Sequence, residues 1–232
     1  MRRYATYQPR TALSLWAPIF TIGIILLVIV AAEARQSRTW DFEMNPVDKA
    51  PNDFSFGRTG SGRMGRWVVR TEEDAPSGTH VLAQIDTDAT DFRFPMAVAE
   101  QPILADVRLS VRCKPEAGKV DRACGLVVRY QDENNYYLTR ANALEQNVQF
   151  YKVVDGQRQQ LASWHGPVAS GAWQQLQIQA DGEHFVISWD GQQVMEVADQ
   201  TFREAGKVGV WTKADSVTAF DDLTVEPLSS QP

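Results

Sequence analysis

Seven side chains between residues 129 and 149 are of the types that recognise polyhydroxylated ligands. They are Arg129, Tyr137, Arg140, Asn142, Glu145, Asn147 and Gln149. Aromatic rings stack on the C–H faces of sugars, while guanidinium, carboxylate and amide groups bond to pairs of hydroxyls. The same residue types also form cross-strand ion pairs on a solvated sheet face, worth only about 0.2–1 kcal/mol each. The sequence therefore predicts either a ligand site or a solvated face at these residues.

A second group of chemically capable residues lies near the C-terminus, at Trp211, Lys213, Asp215 and Asp221. Asp221-Asp222 inserts two carboxylates into a strand pattern, which predicts a β-bulge. A carboxylate pair is able to bind calcium or act in acid–base chemistry, although a solvated bulge is the commoner outcome. A polyol needs several directional groups on one surface, which adjacent strands supply. We therefore expect a small ligand to contact the first group.

Catalytic and metal signatures are absent from the sequence. His80, His165 and His184 share no spacing, and Ser163 is too close to His165 in sequence to form a nucleophile–base pair. The two cysteines form neither a CxxC pair nor a Cys/His cluster, which argues against a zinc site. We expect no catalytic residue, no metal and no cofactor, and a role without catalysis is favoured.

Strict alternation of apolar and polar residues places the first group on a β-meander over residues 125–154. The same rhythm continues to residue 225, punctuated by the hairpin signals Asp155-Gly156, Asp181-Gly182 and Asp190-Gly191. About a dozen short strands and no helical pattern predict an all-β fold, a two-sheet antiparallel jelly-roll sandwich. One N-terminal hydrophobic helix is predicted to precede it.

Several packing predictions follow from the same alternation. In the strand around residues 106–112, Leu109 should point into the core and Arg108 into water. Cys113 and Cys124 lie at facing ends of neighbouring strands, where they form either a disulfide across a hairpin or two buried thiols. Four tryptophans within strands are expected to pack in the core or at its rim. They are Trp67, Trp164, Trp173 and Trp189.

Residues 12–32 form an apolar stretch that follows Arg2, Arg3 and Arg10. As a helix these 21 residues reach about 30 Å, the thickness of a bilayer core, which favours a retained inner-membrane anchor with the folded domain in the periplasm. The alternative is a signal segment cleaved near Ala34, which releases the domain into the periplasm. The predicted organisation is 1–34 anchor or signal, 35–64 linker and edge, 65–226 jelly roll and 227–232 tail.

Short motifs in the predicted strands resemble the concanavalin A-like lectin/glucanase superfamily, over residues 65–226. The motifs are GLVVRYQD at 125–132, NNYY at 134–137, RANALE at 140–145, GKVGVW at 206–211 and FDDL at 220–223. Within the superfamily the chain is similar to laminin-G-like and 3-keto-disaccharide hydrolase-type domains of bacterial exported proteins. The resemblance implies a jelly-roll fold, but its members include hydrolases, lectins and protein-binding modules. The Glu-x-Asp-x-(x)-Glu triplet of its retaining glucanases is missing, and so are recognisable legume-lectin metal ligands.

These observations favour a non-catalytic, membrane-anchored interaction module in the periplasm. Its expected partner is a glycan, through carbohydrate binding, or a membrane-associated protein that it serves as an accessory subunit. Gly23 within the predicted transmembrane helix would permit close helix contact. The net charge of −6 argues against nucleic acid. The alternative is an exported carbohydrate-active hydrolase of the 3-keto-glycoside type.

Overall fold

The structure is a computed structural model that describes Met1 and residues 36–228. The predicted anchor at residues 12–32, and with it the boundary at residue 34, lies outside the described residues. Residues 36–228 contain fifteen strands and no helix, so nothing in this range provides a membrane-spanning helix. The predicted all-β fold is confirmed.

The strands are short and follow one another through tight turns. They are β1 (Arg38–Trp40), β2 (Phe54–Gly60), β3 (Trp67–Thr71), β4 (His80–Gln84), β5 (Arg93–Ala99), β6 (Val107–Ala117), β7 (Ala123–Asp132), β8 (Asn135–Asn142), β9 (Asn147–Val154), β10 (Gln157–His165), β11 (Gln174–Asp181), β12 (His184–Trp189), β13 (Gln192–Ala198), β14 (Lys207–Trp211) and β15 (Val217–Pro227). One antiparallel sheet has the order β13-β12-β11-β6-β15-β4-β3, with β1 added beside β15. The other has the order β10-β9-β8-β7-β14-β5-β2.

The core between the two sheets is built by the alternation visible in the sequence. On β6, Val107, Leu109 and Val111 are buried, while the Arg108 side chain is 42% exposed. This confirms the predicted orientation of Leu109 and Arg108. Apolar burial of this kind is the main favourable term in folding. Among the four tryptophans, Trp67 and Trp189 are buried and Trp164 and Trp173 are partly buried, as expected for core and rim positions.

A disulfide joins Cys113 to Cys124, and both residues are fully buried. Cys113 lies on β6 of the eight-stranded sheet, whereas Cys124 lies on β7 of the seven-stranded sheet. The connection between these strands therefore crosses from one sheet to the other and is not a hairpin within one sheet. The cross-link fixes the two halves of the sandwich together at one end.

The segment predicted as a linker and edge, residues 35–64, contributes two strands. β1 pairs with the last strand, β15, so that Thr39 lies opposite Thr224. β2 forms the outer edge of the seven-stranded sheet beside β5, with Phe54 facing the core. The alternation that would predict β2 is hidden because glycines interrupt both faces of the strand, Gly60 on the face of Phe54 and Phe56 and Gly57 on the opposite face.

The seven-stranded sheet curls strongly over its outer face. The Thr59 hydroxyl on β2 lies 2.7 Å from the Tyr136 hydroxyl on β8, although four strand spacings, about 19 Å in a flat sheet, separate these strands. The guanidinium of Arg158 on β10 lies 4.9 Å from the ring centre of Phe94 on β5, which is five spacings away. The outer face is therefore concave. A second apolar cluster that includes Trp211 fills much of this concavity.

Candidate functional site

Five of the seven predicted site residues meet at one end of the concave face. Arg140 on β8 lies directly opposite Gln149 on β9, and Asn142 lies opposite Asn147. Directly paired residues of antiparallel strands share a face, so these four side chains project together. Glu145 joins them from the turn between the two strands. We call Arg140, Asn142, Glu145, Asn147 and Gln149 the concave polar cluster.

Arg140 is the centre of this cluster. Its guanidinium donates to Asn147 Oδ1 at 2.5 Å, to Glu145 Oε2 at 2.6 Å and to Gln149 Oε1. The Arg140 side chain is only 4% exposed, whereas that of Glu145 is 44% exposed. Burial alone would raise the pKa of Glu145, but attraction to Arg140 outweighs it and holds that pKa below its ordinary value. Arg140 therefore holds the neighbouring side chains in place. Among them, Glu145 and the half-buried Gln149 expose polar atoms to solvent.

Asn142 supports the cluster from behind. It is buried, donates to Asp121 Oδ1 at 2.9 Å and accepts the backbone N–H of Leu144 and Glu145. Asp121 Oδ2 lies 3.0 Å from Lys213 Nζ, and the same ammonium lies 2.7 Å from Asp91. Burial raises the pKa of Asp121, and attraction to Lys213 only partly offsets this. Sequence reasoning missed Asp121 because nothing in its local pattern shows that it meets Lys213.

Trp211 supplies an apolar floor beside the cluster. Arg140 pairs with Gly125, and Gly125 pairs with Trp211, so the three lie in one row across β8, β7 and β14. A Cβ on Gly125 would lie 3.1 Å from the Trp211 ring, which explains why glycine suits this position. The indole is buried and stacks on Phe94 with ring centres 5.4 Å apart. It supports the concave face and offers no open surface for stacking.

Tyr137 does not belong to the concave face, which corrects its grouping with Arg140. Side chains alternate along a strand, so an odd separation of three residues places Tyr137 on the opposite face. It lies in the sandwich core, where its hydroxyl donates to Asp199 at 2.6 Å and accepts the backbone N–H of Phe202 at 3.1 Å. Burial raises its pKa to about 12. Its neighbour Tyr136 faces the concavity instead.

Arg129 is also separate from the concave polar cluster. Its φ of 49° marks an irregular position in β7, where the register with β8 shifts. The buried guanidinium donates to the carbonyl oxygens of Ala105, Phe202 and Gly182, and lies 3.3 Å from Asp106. Arg129 therefore ties β7 to neighbouring loops at a different end of the domain. Arg129 and three of these partners, Ala105, Asp106 and Gly182, also line a cleft of about 550 Å³.

The second predicted group is divided by the fold. Trp211 and Lys213 lie by the concave polar cluster, whereas Asp215 accepts backbone N–H groups from Lys119 to Asp121 and so caps a loop. Asp221 lies on β15 of the other sheet. The predicted bulge is present there, with a register shift between Asp221 and Thr224. Across residues 36–228, no three His, Cys, Asp or Glu residues are arranged to hold a metal ion.

Comparison with known proteins relates this architecture to carbohydrate-associated domains. Residues 98–211 match the model of the beta xylosidase C-terminal concanavalin A-like domain. The solved structure of the carbohydrate binding module CBM66 from Bacillus subtilis matches with 20% identity and a TM-score of 0.59, over 75% of this chain and 97% of that chain. A search of curated proteins finds no match.

Two further solved structures share the fold at lower identity. The cellulose induced protein Cip1 matches with 11% identity and a TM-score of 0.62, over 84% of this chain and 100% of that chain. The exoplasmic/lumenal domain of VIP36, bound to Ca²⁺ and Man3GlcNAc, matches with 10% identity and a TM-score of 0.54, over 78% and 85% of the two chains. The described domain thus has a concanavalin A-like fold, as the motifs predicted. The narrower resemblance to 3-keto-disaccharide hydrolase-type domains stays a prediction.

Proposed function

We propose that this domain binds a neutral glycan through the concave polar cluster. The observation that carries the proposal is the arrangement around Arg140, which holds Glu145, Asn147 and Gln149 on one concave surface. Such preorganised, charge-assisted hydrogen bonds lower the ordering cost of binding a polyol.

The groups left free in the cluster suit sugar hydroxyls. Glu145 uses one carboxylate oxygen for Arg140 and Asn147, so its second oxygen remains to accept a hydroxyl. Gln149 donates one amide hydrogen to the exposed Ser163 at 3.3 Å, so its second amide hydrogen remains to donate to a hydroxyl. Because Glu145 is the most exposed charged group of the cluster, an anionic sugar would be repelled. A neutral glycan is therefore the favoured ligand class.

Names among the structural neighbours support the same class of ligand. CBM66 is named a carbohydrate binding module, and VIP36 is described with Man3GlcNAc bound. The match to a xylosidase C-terminal domain adds xylo-oligosaccharides as a probe. These names guide the choice of ligands to test, since fold alone does not determine function.

The proposal is tested by calorimetric titration of the full-length protein, in a detergent without a sugar headgroup, with xylohexaose, cellohexaose and Man3GlcNAc. Glu145→Ala should weaken binding of whichever probe binds by about tenfold, or about 1.4 kcal/mol. The matched control is Glu226→Ala on the opposite sheet. Glu226 is 45% exposed and pairs with Arg108 at 2.9 Å, much as Glu145 pairs with Arg140.

Glu226→Ala breaks an exposed ion pair, so it should change the free energy of unfolding by less than about 1 kcal/mol. Glu145→Ala removes a partner of the buried Arg140, which keeps Asn147 and Gln149, so it should cost about 1–3 kcal/mol, and its fold is checked by circular dichroism before titration. Selective loss of affinity in Glu145→Ala supports the proposal. Equal affinities for wild type, Glu145→Ala and Glu226→Ala, or no binding of any probe, would contradict it.

One observation favours the alternative of an exported 3-keto-glycoside hydrolase. Asp121 and Glu145 have pKa values shifted in opposite directions, a pattern found in acid and base pairs. Against it, Asp121 is buried behind Asn142, which donates to one of its oxygens, and its other oxygen faces Lys213, so the carboxyl group does not reach a sugar on the concave face. Hydrolysis of a 3-keto-glycoside by the wild type, and loss of this activity in Asp121→Asn, would favour the hydrolase.

We further propose that residues 12–32 anchor the domain to the inner membrane, with the fold in the periplasm. The length of the apolar stretch supports this, and the disulfide is typical of an oxidising compartment. As an accessory subunit, the protein would then associate with a membrane protein. Purification from native membranes should yield the intact mass and a co-purifying partner. A mass that begins near Arg35 would instead show a released domain.

A further inference from the structure

A cleft of about 330 Å³ opens where the edge strand β10 meets β12 and β13 of the other sheet. Its volume is at the lower end of the range for small-ligand clefts, about 300–1,000 Å³. Two indoles and several amide or carboxylate groups line it. These residues are Gln146, Trp164, Gln174, Trp189, Asp190 and Gln192.

The walls of this edge cleft are held in place by hydrogen bonds. The Trp189 indole donates to the carbonyl oxygen of Pro167 at 3.1 Å. Gln146 donates to the carbonyl oxygen of Val168 at 2.8 Å, and Gln174 accepts the N–H of Ala169 at 2.7 Å. The loop after β10 is therefore fixed against both sheets, which makes the cleft a preformed feature.

We propose that the edge cleft is a second sugar-binding site, which takes a further unit of the same neutral glycan chain. The inference rests on the proposed function of the concave polar cluster. The partly exposed Trp164 indole offers an aromatic surface to the C–H groups of a sugar ring, and the exposed Gln192 offers an amide with both donor and acceptor. Asp190, the charged residue of the lining, is an acceptor that disfavours anionic sugars.

The backbone makes the two sites neighbours. Glu145 belongs to the concave polar cluster, and the next residue, Gln146, lines the edge cleft. His165 at the end of β10 lies opposite Asn147, and the N–H of Gly166 donates to the carbonyl oxygen of Gln146 at 3.1 Å. A chain that leaves the cluster across the end of β10 therefore reaches the cleft. This argues for an oligosaccharide and against an unrelated occupant.

The test uses affinity as a function of chain length, with xylo- and cello-oligosaccharides of one to six units and the full-length protein in sugar-free detergent. For the wild type, we expect affinity to rise by about tenfold from the shortest bound sugar to the hexamer. Gln192→Ala and Trp164→Ala should each lose most of this gain and bind the shortest sugar like the wild type. Gln192 is exposed, so its variant remains informative if Trp164→Ala fails to fold.

The matched control is Gln193→Ala. Gln193 is the adjacent exposed glutamine on β13, bonds to Glu196 and is absent from the cleft lining. Gln193→Ala should keep the full rise in affinity with oligosaccharide length, whereas Glu145→Ala should weaken binding at every length. The second site alone is overturned if the rise in affinity with chain length persists in Gln192→Ala and in folded Trp164→Ala. It is also overturned if the wild type shows no such rise. Undiminished binding by Glu145→Ala overturns the proposed function instead.

Discussion

Asp221 should make the stability of this domain depend on pH in an unusual direction. Its side chain is fully buried on β15, where it accepts the backbone N–H of Ser77 at 2.9 Å and of Asp222 at 2.7 Å. Burial raises the pKa of Asp221 to about 6 from 3.8, more than these hydrogen bonds lower it, and the nearby Asp222 adds to the rise.

The direction of this pH dependence follows from whether the folded or the unfolded state binds the proton on Asp221. Between pH 3.8 and about 6, the folded protein holds a proton on Asp221 that the unfolded chain has released. Stability from this group is therefore present at low pH and is lost as pH rises through about 6. The pKa shift of Asp221 corresponds to at most about 3 kcal/mol in the free energy of unfolding. About 2 kcal/mol of this contribution should be lost between about pH 4 and pH 7.

Asp221→Asn removes the titration and keeps the shape of the side chain. Asparagine has one acceptor oxygen where aspartate has two, so the variant also carries a cost that does not vary with pH. We therefore expect the difference in free energy of unfolding, variant minus wild type, to increase by about 2 kcal/mol from about pH 4 to about pH 7.

Urea unfolding at a series of pH values measures this difference directly. Thr224→Ser, on the same strand, is the control: it adds and removes no titratable group, so its difference from the wild type should not vary with pH. A flat curve for Asp221→Asn as well, or one that falls toward neutral pH, would show that Asp221 is ionised in the folded protein and that burial does not dominate its titration.

Two further predictions concern the sandwich core and its cross-link. Leu109→Ala should cost about 2–5 kcal/mol through lost burial and a cavity, whereas Arg108→Ala should cost less than about 1 kcal/mol, and equal urea midpoints would refute the assigned faces. Replacement of Cys113 and Cys124 by alanine should lower the free energy of unfolding by about 3 kcal/mol, because the link closes a short loop in the unfolded chain. Reduction of the wild type should reproduce that loss, and unchanged stability would contradict it.

The sequence predicted the strands well because alternation is a local property. On β6 and β11, every second residue faces the core, and glycine turns such as Asp181-Gly182 end the strands where expected. β2 was missed because its pattern contains Gly57 and Gly60, and its place beside β5 depends on a partner about forty residues away. Local patterns therefore define strands and turns, but they do not define the order of strands in a sheet.

The candidate site was predicted in part for the same reason. Arg140, Asn142, Asn147 and Gln149 lie on two consecutive strands, whose pairing follows from the turn between them. Arg129 could not be placed because an irregularity in β7 turns its side chain away, and such a shift leaves little trace in the residue types. Asp121 and Lys213 required contacts between strands distant in sequence.

The curl of the seven-stranded sheet explains why recognition should occur at one end of the concave face. Arg158 crosses the concavity to reach Phe94 and also lies 4.5 Å from the ring centre of Tyr151, so side chains close over the central strands. Trp211 is buried beneath them and cannot meet a ligand. A glycan chain therefore cannot lie along the whole face as it would on an open sheet. The polar end around Glu145 and Gln149 is where directional groups still reach water, and the turn that carries Glu145 also leads to the edge cleft.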